Sequence, residues 1–203
     1  MNTLFPADET AHIAARWSAR YSSGRLENAA LLLSSPRENE RIAGVALLRA
    51  LWHDARGSGE AVEELLSAFV RSRTAFRAQE ERLDADVGCA LSALGERPVE
   101  LQERPLDLSR ARLSGVEWPF ARLQGAHLMH TDLRGALLVG ADLRGAWLRG
   151  AYLERANLDR ANLCGADLRG AISWQARQFE NALWDEHTRW PEAVLNPRHG
   201  LHR

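Results

Sequence analysis

The side chains able to do chemistry are few and scattered. His127 and His130 stand three apart, close enough to share a metal ion. No third ligand follows at a sensible spacing, and Cys164 falls on a different face of the segment, so no metal site is expected. His12 and His53 sit far apart on separate predicted helices and read as ordinary surface or packing histidines. No nucleophile–base pair, phosphate-cradling loop or metal-ligand spacing occurs, so the sequence predicts a non-catalytic protein with no cofactor. The chemistry on offer is recognition. Trp147, Arg149, Tyr152, Arg155 and Arg169 are of the types that dominate interfaces, and they form the candidate interaction surface. The blander reading is scattered surface aromatics, which are common. A second group, Trp174, Phe179, Trp184 and Trp190, supplies candidate contacts for a C-terminal cap or a dimer.

Both groups depend on the stretch from Leu106 to Gly170. It divides into blocks of five, among them LDLSR, AHLMH, TDLRG, ADLRG, AWLRG and AYLER. Leucine holds the centre of every block but one, where Trp118 replaces it, and a small residue, usually alanine, stands two positions earlier. A period of five fits neither a helix nor a flat strand. It fits a backbone that turns a corner every block, four corners closing one coil. The central leucine and the small residue point to the axis, and the other three positions face solvent. Coils stack at strand spacing, about 4.8 Å, burying a leucine ladder that no single coil could bury alone. Glycine recurs at block ends because the corners demand unusual backbone angles.

After Gly170 the pattern degrades. In the unbroken frame Ser173 and Gln178 would face the axis, and Trp174, Phe179 and Trp184 would face solvent. A slip of one residue turns those aromatics inward, each removing about 2–3 kcal/mol of apolar surface from water. An inserted residue is therefore predicted near 171–174. Trp190 and Pro191 are expected to close the open end, which would otherwise leave strand edges bare.

The first half has a different period. Helices are predicted from Glu9 to about Ser22, over RLENAALLLSS, from Ser35 to about Ala55, from Glu60 to about Arg73 and from about Asp84 to Leu94. Ser35 is read as an N-cap with Pro36 at the first helical position, and Gly95 as the C′ residue. Their apolar stripes need one another, so they should pack as a bundle, and successive pairs resemble HEAT-like hairpins. The resulting division is a helical bundle over 1–98, a linker over 99–105, a β-helix with its cap over 106–192, and a disordered tail over 193–203. The fold class is α+β in two parts.

ADLRG, at 141–145 and again at 166–170, resembles the signature of the pentapeptide-repeat family. That resemblance implies a right-handed quadrilateral β-helix, of about four coils here. RIAGVALLRAL (41–51) and DADVGCALSALGERP (84–98) resemble the helical region that precedes the repeats in many bacterial members. WDEHTRWPE (184–192) resembles the segment that closes such rods. By the same resemblance the expected role is a protein–protein interaction module. The alternative is a gyrase-interacting protective protein, as some members shield type II topoisomerases with a rod that mimics DNA.

Composition weighs on that choice. The chain has 26 Arg, no Lys and 27 acids, a net charge of −1. Arginines and acids also nearly balance over 106–185, which disfavours DNA mimicry, and the interleaved acids argue against binding nucleic acid. Two cysteines, Cys89 and Cys164, make no disulfide framework. With no signal peptide and no run of about 18 apolar residues, a cytoplasmic location, no membrane and an unknown protein partner are expected. A homodimer through the C-terminal end is expected from the aromatics there.

Overall fold

The computed structural model describes residues 7–21, 24–52, 59–75, 83–101, 104–179 and 181–191. His53 and the 193–203 tail lie outside them. The chain divides into two compact units, Met1–Thr74 with Asp84–Gln102, and Glu103–Arg203 with Ala75–Leu83.

The first unit holds five helices among the described residues: α1 (Ala7–Tyr21), α2 (Gly24–Leu33), α3 (Glu38–Ala50), α4 (Gly59–Thr74) and α5 (Ala85–Gly95). Helix α4 is buried almost all round, with Val62, Leu65, Leu66, Phe69 and Val70 at 1% exposure or less, as a central core helix must be. It packs on α1 and α5, while α2 packs on α1 and α3, and α3 on α5. Helix α4 thus lies mainly against α1 and α5 rather than its predecessor α3, unlike a simple stack of HEAT-like hairpins. Gly44 lets α3 approach α2 closely, since a Cβ there would stand 3.0 Å from the Ala29 carbonyl.

Two boundaries differ from expectation. The N-cap of α3 is Arg37, not Ser35. The Ser35 hydroxyl accepts the Arg37 N–H and donates to Glu40, so it braces the turn before the helix. Gly95 is the last helical residue of α5, and Glu96 is the C-cap.

Buried charge also holds this unit, and it was not apparent in the sequence. Asp86 is fully buried and receives Arg41, with Arg73 Nε 3.3 Å away. Arg41 also donates to the carbonyls of Ser35 and Pro36 at 3.0 and 2.9 Å. Arg97 is fully buried against Glu63 at 3.1 Å. Both pairs join residues more than thirty positions apart.

The second unit repeats with a period of twenty residues. Asp107 bridges His127, His127 bridges Trp147 and Trp147 bridges Asp167, all in parallel. Three more such columns begin at Arg112, Glu117 and Arg122. Each contact is an isolated bridge rather than an extended strand, because the backbone turns again within every block. The central leucines from Leu108 to Leu168 and the alanines two positions earlier are buried as expected. The last residue of every block from 110 to 170 has positive φ, mostly glycine, with Arg110, Phe120, His130, Arg155 and Arg160 as the exceptions. In the first block the Ala111 N–H closes the turn onto the Leu108 carbonyl at 3.2 Å, with Arg110 at φ 61°, the signature of a type II turn.

The frame slips as anticipated, and then once more. Leu183 pairs with Asn162, a step of 21, and Arg189 pairs with Asp167, a step of 22. The first slip seats Phe179 in the core at 2% exposure and leaves Trp174 and Trp184 half-buried. The second was not expected from the sequence. It lies in the turn after Trp184, where Asp185 Oδ1 accepts the N–H groups of His187 and Thr188. The same oxygen takes the Gly165 N–H at 2.8 Å, where a main-chain carbonyl of the next coil would otherwise serve.

Candidate interaction surface

The surface follows from how each block spends its N–H groups. The central residue donates to the next coil, as Leu108 does to the His127 carbonyl. The block's last residue does likewise, as Arg110 does to Met129. The residue before the centre donates to the previous coil, as Asp132 does to Ala111. The small residue closes the turn. The residue after the centre is left over, with no main-chain acceptor of its own. Asp or Asn before the centre supplies the acceptor. Asp132, Asp142, Asp167, Asn157 and Asn162 each accept the N–H two residues on at 3.0–3.2 Å. The Asp/Asn preference of the repeat is thus a turn requirement. Pro119 fits at the leftover position because it has no N–H to satisfy.

Where arginine fills that position, its guanidinium closes a fork on the same aspartate. Arg134 Nε and Nη2 lie 2.8 and 2.6 Å from the two Asp132 oxygens. Arg144 on Asp142 and Arg169 on Asp167 repeat the geometry. Planar bidentate pairs of this kind are the stronger ion pairs. Hydrogen bonds from Arg144 and Arg169 hold the Asp142 and Asp167 carboxyls below the usual carboxylate range. At Asp132 burial is the largest influence and acts upward, but the bonds from Arg134 outweigh it and the net shift is down.

Block 146–150 breaks this scheme. Trp147 stands where aspartate would, so Arg149 has no fork, and among the described residues no carboxylate pairs with it. Trp147 is 49% exposed and stacks on His127 one coil earlier, ring centroids 4.6 Å apart at 24°. Tyr152, on the neighbouring face, is 38% exposed with the Arg134 guanidinium 5.6 Å over its ring. Arg155 projects into solvent, with the Glu154 carboxylate 3.9 Å away.

Of the five residues singled out in the sequence, Trp147, Arg149, Tyr152 and Arg155 are exposed on two adjacent faces. Arg169 lies along the Arg149 edge but is committed to Asp167. His127, weighed only as a metal ligand, and Arg134 back the two aromatic rings and were not placed on this surface. The signal was available in sequence: His127 is twenty residues before Trp147, and Asp132, whose fork holds Arg134, is twenty before Tyr152. His130, exposed at its corner, lies over Gly150, where a Cβ would meet its ring at 2.6 Å.

The second group comes together at the C-terminal end. Phe179 lies 5.2 Å from Trp190 and 6.2 Å from Trp174, and Trp184 lies 5.8 Å from Trp190, mostly edge to face. Pro191 is buried and Leu183 is 60% exposed. Among the described residues no group of three His, Cys, Asp or Glu could hold a metal ion. None of their helices is long and apolar enough to cross a membrane. His12 and Cys89 are exposed, and Cys164 is half-buried.

Residues 107–145 and 136–172 match the family model described as pentapeptide repeats, in eight copies. The second unit thus carries pentapeptide repeats over residues 107–172. No curated protein matched the chain. Among solved structures, a pentapeptide-repeat protein (Rfr23) from the cyanobacterium Cyanothece 51142 is 35% identical, covering 43% of this chain and 65% of its own, with a TM-score of 0.26. A pentapeptide-repeat protein of the Arabidopsis thaliana thylakoid lumen is 28% identical, covering 44% and 52%, TM-score 0.26. QnrB1, a plasmid-mediated fluoroquinolone resistance protein, is 24% identical, covering 40% and 38%, TM-score 0.26. The chain thus spans under two thirds of the length of each of these relatives.

Proposed function

We propose that the chain is a non-catalytic interaction module that presents a right-handed quadrilateral β-helix to a protein partner. The contact surface spans the two adjacent faces carrying Trp147, Arg149, Tyr152 and Arg155. The observation that carries this reading is the broken fork at block 146–150. A half-exposed tryptophan, already ordered by His127, stands beside an arginine with no carboxylate of its own. Ordered aromatic and arginine anchors are what interface centres use. Affinity capture with paired baits tests it. Wild-type protein is expected to retain a specific partner that the double variant Trp147→Ala, Arg149→Glu loses and the variant Arg122→Glu, on another face, keeps. Equal retention by all three baits rejects the assignment.

No observation favours the gyrase-directed alternative. Forks on Asp132, Asp142 and Asp167 neutralise acids that a mimic of duplex DNA would need free. A homodimer through the C-terminal end is supported by exposed Leu183 and Ile172 beside the aromatic cluster. A monomeric mass in solution scattering rejects it.

A further inference from the structure

Block 146–150 keeps the arginine of the repeat and lacks its acceptor. In three other blocks one aspartate takes three donors from the arginine two residues on. The main-chain N–H lies at 3.1–3.2 Å, Nε at 2.8–2.9 Å and Nη2 at 2.6–2.7 Å. The arrangement recurs because a planar guanidinium matches two N–H groups to the two oxygens of a carboxylate. At residue 147 a tryptophan replaces that carboxylate, and its indole lies over His127, one coil earlier. Among the described residues neither the N–H nor the guanidinium of exposed Arg149 meets an acceptor.

The next coil deepens the imbalance. Arg169 stands at the position of Arg149 one coil on, and Arg189 follows Asp167 in its column. Both draw on the single Asp167 carboxylate, Arg169 through its fork and Arg189 Nη1 from 4.0 Å. Glu186, at the corner before Arg189, lies 3.9 Å from His187. From Trp147 to Arg189 this face therefore has guanidinium charge in excess, while the whole chain carries a net charge of −1. An anion beside Arg149 meets an uncompensated positive field. The half-exposed indole offers apolar area that a free inorganic anion cannot use, and it favours a carboxylate carried on a polypeptide.

On the contact surface proposed above, and resting on that reading, we propose that Arg149 receives a carboxylate of the partner protein. An Asp or Glu side chain of the partner completes from outside the fork that block 146–150 lacks, and an apolar neighbour of that acid covers Trp147. Arg149 is thereby the residue that selects an acidic partner segment, and Trp147 at once frees it and supplies the adjoining apolar contact. Arg134, Arg144 and Arg169 do not compete, because each is already closed on its own aspartate.

The test is NMR of the full chain with isotope-labelled arginine, following each Nε–H signal. In the free protein the Arg149 Nε–H is expected to exchange with solvent about tenfold faster than those of Arg134, Arg144 and Arg169, which their forks protect. The capped peptide acetyl-Leu-Asp-Phe-amide is then compared with its neutral counterpart acetyl-Leu-Asn-Phe-amide. A single exposed ion pair is weak, so binding is read as a progressive shift of the signal. The aspartate peptide should shift the Arg149 signal, and the asparagine peptide should shift it about tenfold less at the same concentration. Trp147→Asp should bring Arg149 into the protected set and abolish the response. Trp147→Asn, which loses the same indole but supplies no charge, should leave Arg149 fast-exchanging and responsive. Protection of Arg149 in the free wild-type protein would overturn the proposal, since an internal acceptor would then exist. So would equal shifts from the two peptides, or equal responses of the two Trp147 variants. Those results leave the contact surface standing if Trp147→Ala, Arg149→Glu still loses the captured partner. Retention of the partner by that double variant rejects the surface itself, whatever the peptides do.

Discussion

At the residue scale, the rod is governed by one leftover N–H per block and one left-handed corner. Both make quantitative demands. Asp132, Asp142 and Asp167 have folded values below their ordinary 3.8. A lowered carboxylate contributes stability that is fully present above its unfolded value and is lost as pH falls through its folded value. The contribution of these three carboxylates should therefore stay constant from pH 7 to pH 5 and fall away as pH drops below the ordinary 3.8. Chemical denaturation across that range measures this, and the triple variant with asparagine at the three positions should show a flatter acid limb. The corners differ among themselves. Gly145 has φ +64° with open space around its Cβ direction, whereas at Gly140 a Cβ would meet the Phe120 ring at 2.7 Å. Gly145→Ala should cost about 1–2 kcal/mol from backbone strain alone. Gly140→Ala should cost more, and Phe120→Ala in the same chain should recover the excess. Arg110→Gly, at φ 61°, should instead stabilise the rod by about 1 kcal/mol. The Asp/Asn preference was legible as a pattern in the sequence. Its cause was not, because the unpaired N–H is known only once the other four bonds are assigned.

At the element scale, each coil is held by leucines that touch the coils above and below. Leu148 is 1% exposed, so Leu148→Ala should cost about 2–5 kcal/mol, the range for a core truncation that leaves a cavity. In the helical unit, Asp86→Ala leaves the Arg41 guanidinium buried with no charge partner and should cost about 3–5 kcal/mol. Thermal unfolding with each variant checks both values. The repeats could be read from sequence because leucine marks every coil and its neighbours in space lie at a fixed separation. The first register slip was legible because three aromatics spaced by five needed burial. The second was not, because Thr188 and Asp185 carry no comparable apolar signal. The Arg41–Asp86 and Arg97–Glu63 pairs were equally hidden, since nothing periodic links residues that far apart. Ser35 had the residue type of an N-cap, yet its hydroxyl is engaged by Glu40, and the helix starts two residues later.

At the scale of the whole molecule, a chain with 26 arginines carries almost no net charge, and on the rod several of these arginines are locked onto aspartates two residues away. Such a surface gives little long-range steering, so partner choice rests on local exceptions to the repeat. Block 146–150 is one such exception, and the proposed contact surface is built on it. The most direct measurement is hydrogen–deuterium exchange of the full chain with and without the captured partner. The interaction account predicts new protection over residues 146–155, with the helices α1–α5 unchanged. Protection confined to α1–α5, with 146–155 exchanging as in the free protein, would contradict it.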